Sequence, residues 1–84
     1  TFALDLIVSG DVLEHFTKTD LAILLPKLIQ SAEKNFHVIA CFDDGHSHLT
    51  IETADWWLKE FQKYGKGYRL EQCDRPNVAI VTNL

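Results

Sequence analysis

The spacing of apolar residues switches repeatedly along this chain, and that switching constrains its fold more than any other feature. Phe2, Leu4, Leu6 and Val8 alternate with Ala3, Asp5 and Ile7, so residues 1–8 read as a half-buried strand. Leu21, Leu24, Leu25, Leu28, Ile29 and Ala32 then recur at helical spacing. Alternation returns in residues 36–42 and 46–53. Trp57, Leu58 and Phe61 form a second helical stripe, and two strand-like runs follow at 68–73 and 77–82, joined by Asp74-Arg75-Pro76. The order is β-α-β-β-α-β-β. It predicts an α+β domain in which two helical segments pack on one face of a mostly antiparallel sheet. Residues 1–84 are expected to form a single domain, since a chain of 84 residues suffices for one core.

Local signals set the expected boundaries. Ser9-Gly10-Asp11 offers a turn and an N-cap, with one or two helical turns over residues 12–16. Thr19-Asp20 is a second capping signal, for a helix over about residues 20–34 that stops at Asn35. Pro26 lacks an amide donor and crowds the preceding turn, so a break is expected there. Thr53 caps a helix over residues 54–64, ended by Gly65. Asp44-Gly45 is the strongest turn signal, because a type I′ hairpin turn needs positive φ at both central positions.

A two-residue turn at Asp44-Gly45 fixes a register. Asp43 then faces His46, Cys41 faces His48, Ile39 faces Thr50 and His37 faces Glu52. One face of that hairpin, with Val38, Ala40, Phe42, Leu49 and Ile51, is apolar. The other gathers Cys41, Asp43, His46 and His48 at its turn end. These are ligand types for zinc or another transition metal, and cross-strand neighbours lie close enough to share an ion. The plainer reading is a polar solvent face carrying Asp43–His46 and His37–Glu52 charge pairs.

Charge narrows the partners. Twelve acids against eight bases give a net charge of −4. Residues 1–55 hold nine acids and three bases, and residues 56–84 three acids and five bases. The acidic whole argues against broad duplex binding, which needs a basic face. A local basic corner remains, in which Lys59, Lys63, Lys66 and Arg69 interleave with Tyr64 and Tyr68. Cations and aromatics in that arrangement suit nucleic acid or another polyanion. The alternative there is a glycine helix stop with lysines favourably placed at a helix C-terminus.

Two apolar features point to protein contacts. Trp56 sits about 100° around the helix from Trp57, so both indoles seldom enter one core, and an exposed Trp is a frequent interface anchor. Val78-Ala79-Ile80-Val81 is apolar on both sides of its strand. One helical layer covers only one side, and a second subunit could supply the other cover. Trp56, Val78 and Ile80 are therefore the candidate interface.

No catalytic signature is present, and the lone His15 beside Glu14 reads as a surface residue, so an enzyme is not expected. Cys41 and Cys73 read as buried free thiols, or as one disulfide if their strands are neighbours. No signal peptide opens the chain, and its longest apolar run, residues 21–25, is too short to span a bilayer. A reducing, cytoplasmic location without a membrane partner is the expectation. The start at Thr1 and the lack of Met fit either removal of an initiator Met or an excised fragment. The favoured function is a small non-catalytic binding or regulatory domain acting through protein–protein interaction, self-association included, with no cofactor required. A nucleic-acid-binding or transcription-regulatory module using Lys59, Lys63, Lys66, Tyr68 and Arg69 is the first alternative. A zinc-binding domain at Cys41, Asp43, His46 and His48 is the second.

Overall fold

The computed structural model describes residues 2–84; Thr1, included above in the first strand, lies outside the described residues. Strand β1 (Leu4–Gly10) runs through a 3₁₀ turn (Leu13–His15) into helix α1 (Lys18–Ser31), which passes directly into β2 (Ala32–Ala40). Helix α2 (Ala54–Gln62), β3 (Arg69–Glu71) and β4 (Val78–Thr82) follow. The strands form one sheet in the order β1-β2-β4-β3. β1 and β2 are parallel, which is why a helical crossover separates them. The β2–β4 and β3–β4 pairs are antiparallel. The fold is the expected mixed α+β arrangement, with both helices on one face of the sheet.

The core lies between that face and the helices. Leu21, Leu25 and Ile29 of α1 meet Trp57 and Phe61 of α2, with Ile39, Tyr68 and Val81 beneath them. His37 is also fully buried there. Its Nε2 lies 2.9 Å from Asn35 Oδ1 and its Nδ1 lies 2.6 Å from the Ser9 hydroxyl. Nε2–H donates to the amide oxygen and Nδ1 accepts from the hydroxyl, so the neutral ring is fully satisfied. Burial lowers its pKa to about 4.

Several boundaries differ from expectation, each for a local reason. Thr17, not Thr19, caps α1, its hydroxyl accepting from the Asp20 amide at 3.1 Å. Asp20 instead lies in the first turn, where a carboxylate complements the helix dipole. The helix runs through Pro26 without a break. The donor that Pro26 lacks would serve the carbonyl of Ala22, an exposed residue that water reaches. The helix ends at Ser31, short of the expected stop at Asn35, because residues 32–34 already pair as the start of β2. Asn35 acts on the helix from inside that strand, its Nδ2–H donating to the Leu28 carbonyl at 3.4 Å. Thr53 caps α2 as expected, accepting from the Trp56 amide at 3.1 Å.

The largest difference is at residues 41–53, which contain no strand or helix. The hairpin and its register do not form. β2 is already paired with β1 on one side and β4 on the other, so no free edge remains for residues 46–53. The Asp44 carboxylate also captures the local amides. Its Oδ1 accepts from His46 at 3.1 Å, Ser47 at 2.8 Å and His48 at 3.0 Å, and its Oδ2 accepts from the Ser47 hydroxyl. The Ser47 hydroxyl, then these amides, hold the Asp44 carboxyl well below the usual carboxylate range.

Candidate functional site

Two surfaces stand out once the fold is known. The first is the sheet face opposite the helices. Alternation along the strands sends Asn35, His37 and Ile39 of β2 and Ala79 and Val81 of β4 towards the core. The same alternation leaves Phe36 and Val38, with their neighbours Val8, Val78 and Ile80, on the opposite face. Leu4 and Leu6 of β1 extend that row. Leu6 is 46% exposed and Val8 61% exposed, although strand residues of this type normally pack against something. Lys34, Arg69 and Glu71 share the face at its margins.

The expected interface residues divide between two surfaces. Val78 and Ile80 belong to the open face. Trp56 lies in the helical layer on the other side of the sheet, half-buried, with its ring 5.0 Å from Trp57 edge-on. The Lys18 ammonium sits 5.4 Å over the Trp56 ring and also pairs with Glu52 at 2.5 Å. Trp56 is thus held by neighbours of its own chain.

The basic corner is largely neutralised. Lys59 pairs with Asp55 at 3.1 Å, Lys63 pairs with Glu60, and Arg69 pairs with Glu71 at 2.6 Å. Tyr68 is buried in the core, where burial pushes its phenol above the ordinary value. Lys66 has no ion-pair partner among the described residues. It lines a cleft of about 390 Å³ with Tyr64, Ile29 and Glu33. A single unpaired lysine beside an acid is a poor phosphate track.

The second surface is a polar pocket between the 3₁₀ turn and residues 41–53. Leu13 and Glu14 are both fully buried. The Glu14 carbonyl accepts from the amides of Leu49 at 2.9 Å and Thr50 at 3.1 Å, and the Thr50 hydroxyl donates to the Phe16 carbonyl at 2.7 Å. These bonds clamp the loop onto the turn. Inside the clamp, His15 Nδ1–H donates to the Ser47 carbonyl at 3.0 Å, and His48 Nδ1–H donates to the Phe42 carbonyl at 2.6 Å. A carbonyl only accepts, so the proton of each neutral ring sits on Nδ1 and the lone pair on Nε2. Both Nε2 atoms lie near one oxygen: Glu14 Oε2 is 3.7 Å from His15 Nε2 and 3.8 Å from His48 Nε2, and Asp44 Oδ2 is a further 3.7 Å neighbour of His48 Nε2. These separations are too long for hydrogen bonds. Neither oxygen of Glu14 has a hydrogen-bond partner among the described residues.

Of the four residues that the sequence offered as metal ligands, His48 alone lines this pocket. Cys41 is a half-buried free thiol, pushed up by burial, that lies 3.7 Å from its Ile39 carbonyl acceptor. Cys73 is likewise free and half-buried. Asp43 accepts from the Gly45 amide at 2.7 Å, and His46 is exposed, its nearest acid being Asp44 at 4.0 Å. His37 and Glu52, expected to pair, lie in the core and beside Lys18 respectively. Sequence reasoning missed Glu14 and His15. The available signal was an adjacent acid and histidine flanked by Leu13 and Phe16, apolar residues that pull the segment inward.

Comparison with protein-family models, curated proteins and solved structures found no match. Among the described residues, no helix is long and apolar enough to cross a membrane.

Proposed function

We propose that this chain is a non-catalytic binding domain whose open sheet face packs against the same face of a second copy. The observation that carries this reading is the continuous apolar row of Leu4, Leu6, Val8, Phe36, Val38, Val78 and Ile80 on a face that neither helix covers. A flat sheet face is best matched by another sheet, packed about 10 Å away with side chains interdigitating. A second copy supplies a mate of equal length and twist. Charge favours it as well. The chain as a whole carries −4, but Lys34 and Arg69 against Glu71 leave this face without negative excess.

Area sets the strength. Strands of 7, 9, 5 and 3 residues, at about 3.3 Å per residue and about 4.8 Å apart, give a footprint of roughly 400 Å². A standard interface removes about 800 Å² per partner, so the dimer belongs to the weak, concentration-dependent class. Sedimentation equilibrium over a dilution series tests the reading. The wild-type chain of 9.6 kDa should approach twice its mass as concentration rises, and a Val8→Lys, Ile80→Lys variant should remain monomeric. A wild-type monomer throughout, or an unaltered dimer in the variant, would reject it.

A further inference from the structure

We propose that Glu14, His15 and His48 form a binding site for one divalent transition-metal ion of the zinc type. This inference is independent of the proposed self-association. It starts from Glu14, whose side chain is fully buried with both oxygens unpartnered among the described residues. Buried polar groups are nearly always hydrogen-bonded, and a buried carboxylate without donors is strongly disfavoured unless a cation offsets its charge. No lysine or arginine pairs with Glu14 among the described residues. The groups facing it are two imidazole nitrogens, presented as lone pairs by their Nδ1–H bonds to the Ser47 and Phe42 carbonyls.

That arrangement suits a metal better than an ion pair. Metal-bound histidines typically donate their other ring N–H to a carbonyl or carboxylate, which fixes tautomer and orientation. Both rings already have that support. The ligand atoms of Glu14, His15 and His48 lie within 4.8 Å of one another, and the two nitrogen–oxygen separations are 3.7 and 3.8 Å. Ligands bound to one tetrahedral ion at about 2.0–2.1 Å stand about 3.4 Å apart, so the set closes by side-chain adjustments on the order of 1 Å. Two imidazoles with one carboxylate favour zinc and neighbouring transition metals over magnesium and calcium, which prefer oxygen alone.

The pocket also defines the remaining position. His48 is 7% exposed and His15 is 39% exposed at the side chain, so the ion is reached past His15. A water completes the shell from that side. Asp44 Oδ2 lies 3.7 Å from His48 Nε2, so a second carboxylate stands beside that ring. An ion held here ties the 3₁₀ turn to residues 41–53, the loop that leads into the capped end of α2. Small domains often gain stability from such a metal clasp.

The test uses the chelator-stripped chain titrated with zinc in competition with a chromophoric chelator, alongside the visible spectrum of the cobalt(II) form. The expected result is one zinc per chain, a raised melting temperature, and the intense cobalt bands of a four-coordinate site. His15→Ala and Glu14→Gln should each weaken zinc binding by at least about tenfold. His46→Ala should bind as the wild type does. His15 is partly exposed, so its removal leaves the fold intact. Glu14→Gln should melt no lower than the wild type without metal, because an amide is easier to bury than a carboxylate. Absence of stoichiometric zinc binding would overturn the proposal. So would wild-type affinity in both His15→Ala and Glu14→Gln, or a loss in His46→Ala as large as theirs.

Discussion

The two faces of the sheet carry similar side chains and meet different ends. On the covered face, Ile39, Ala79 and Val81 lie under Trp57 and Phe61 and are shut off from water. On the open face, Val8, Val38 and Ile80 offer the same kind of surface, and neither helix covers it: Val8 is exposed, Val38 and Ile80 half-buried. Hydrophobic burial therefore accounts for the residue choice on one face only. A strand such as β4 must satisfy two environments with alternate residues, so Ala79 and Val81 report on the monomer, whereas Val78 and Ile80 report on whatever the open face meets.

The difference predicts a graded response to substitution. Trp57→Ala on the covered side should have the largest effect, a loss of about 3–5 kcal/mol in chemical denaturation, because a fully buried indole leaves a cavity. A loss under 1 kcal/mol would mean that the helical layer is not the true core. His37 should come next, through pH. Its folded pKa of about 4 lies below the unfolded value of 6.5, so the unfolded chain takes up its proton first. The stability that a neutral His37 contributes is complete above pH 6.5 and falls as pH drops towards 4, by about 3 kcal/mol in all. His37→Gln should flatten that slope, and an unchanged slope would assign it to other groups. Asp44, held low by Ser47 and its three amides, adds its own loss only at still lower pH.

Smaller effects follow. Gly65→Ala should lose about 1–3 kcal/mol, since its Cβ would stand 2.7 Å from Ile29 Cγ2 and 2.8 Å from Tyr68 Cε2 beneath the helical layer. A neutral substitution would show that this junction relaxes freely. Least affected should be the open face: Leu6→Thr with Val8→Thr keeps strand propensity. It should change the stability of the dilute monomer by no more than about 0.5 kcal/mol while weakening association. A large loss in the dilute monomer would mean that this face is stabilised within one chain after all.

Elements governed by their own residues were legible in the sequence. The first strand, the Thr53 cap with its Trp57–Phe61 stripe, and the β3–β4 pair all form as local pattern predicts, although the alternating Leu4, Leu6 and Val8 of that strand lie on the exposed face and not in the core. What escaped depends on distant competition. Residues 46–53 alternate as a strand does, but β1 and β4 occupy both edges of β2, and strand order is not written in local spacing. Gly45 does take a positive φ of 88°, but Asp44 does not, so the two-residue hairpin turn is not made, and the Asp44 side chain draws the following amides into a loop. The pocket was half legible for the same reason. His48 was visible as a ligand type, but Glu14 and His15 reach it only because the loop folds back onto the 3₁₀ turn. Val78 and Ile80 were identified from their own strand, whereas Leu4, Leu6 and Val8 joined them only through the parallel β1–β2 register.

The most direct test of the open face is an isotope-filtered NOE experiment on a mixture of labelled and unlabelled chains, at a concentration where sedimentation shows association. Intermolecular contacts among the methyl groups of Leu6, Val8, Val38 and Ile80 are expected, with none from Trp56. Intermolecular contacts confined to the helical layer, or a chain that stays monomeric at every concentration reached, would contradict self-association through the sheet.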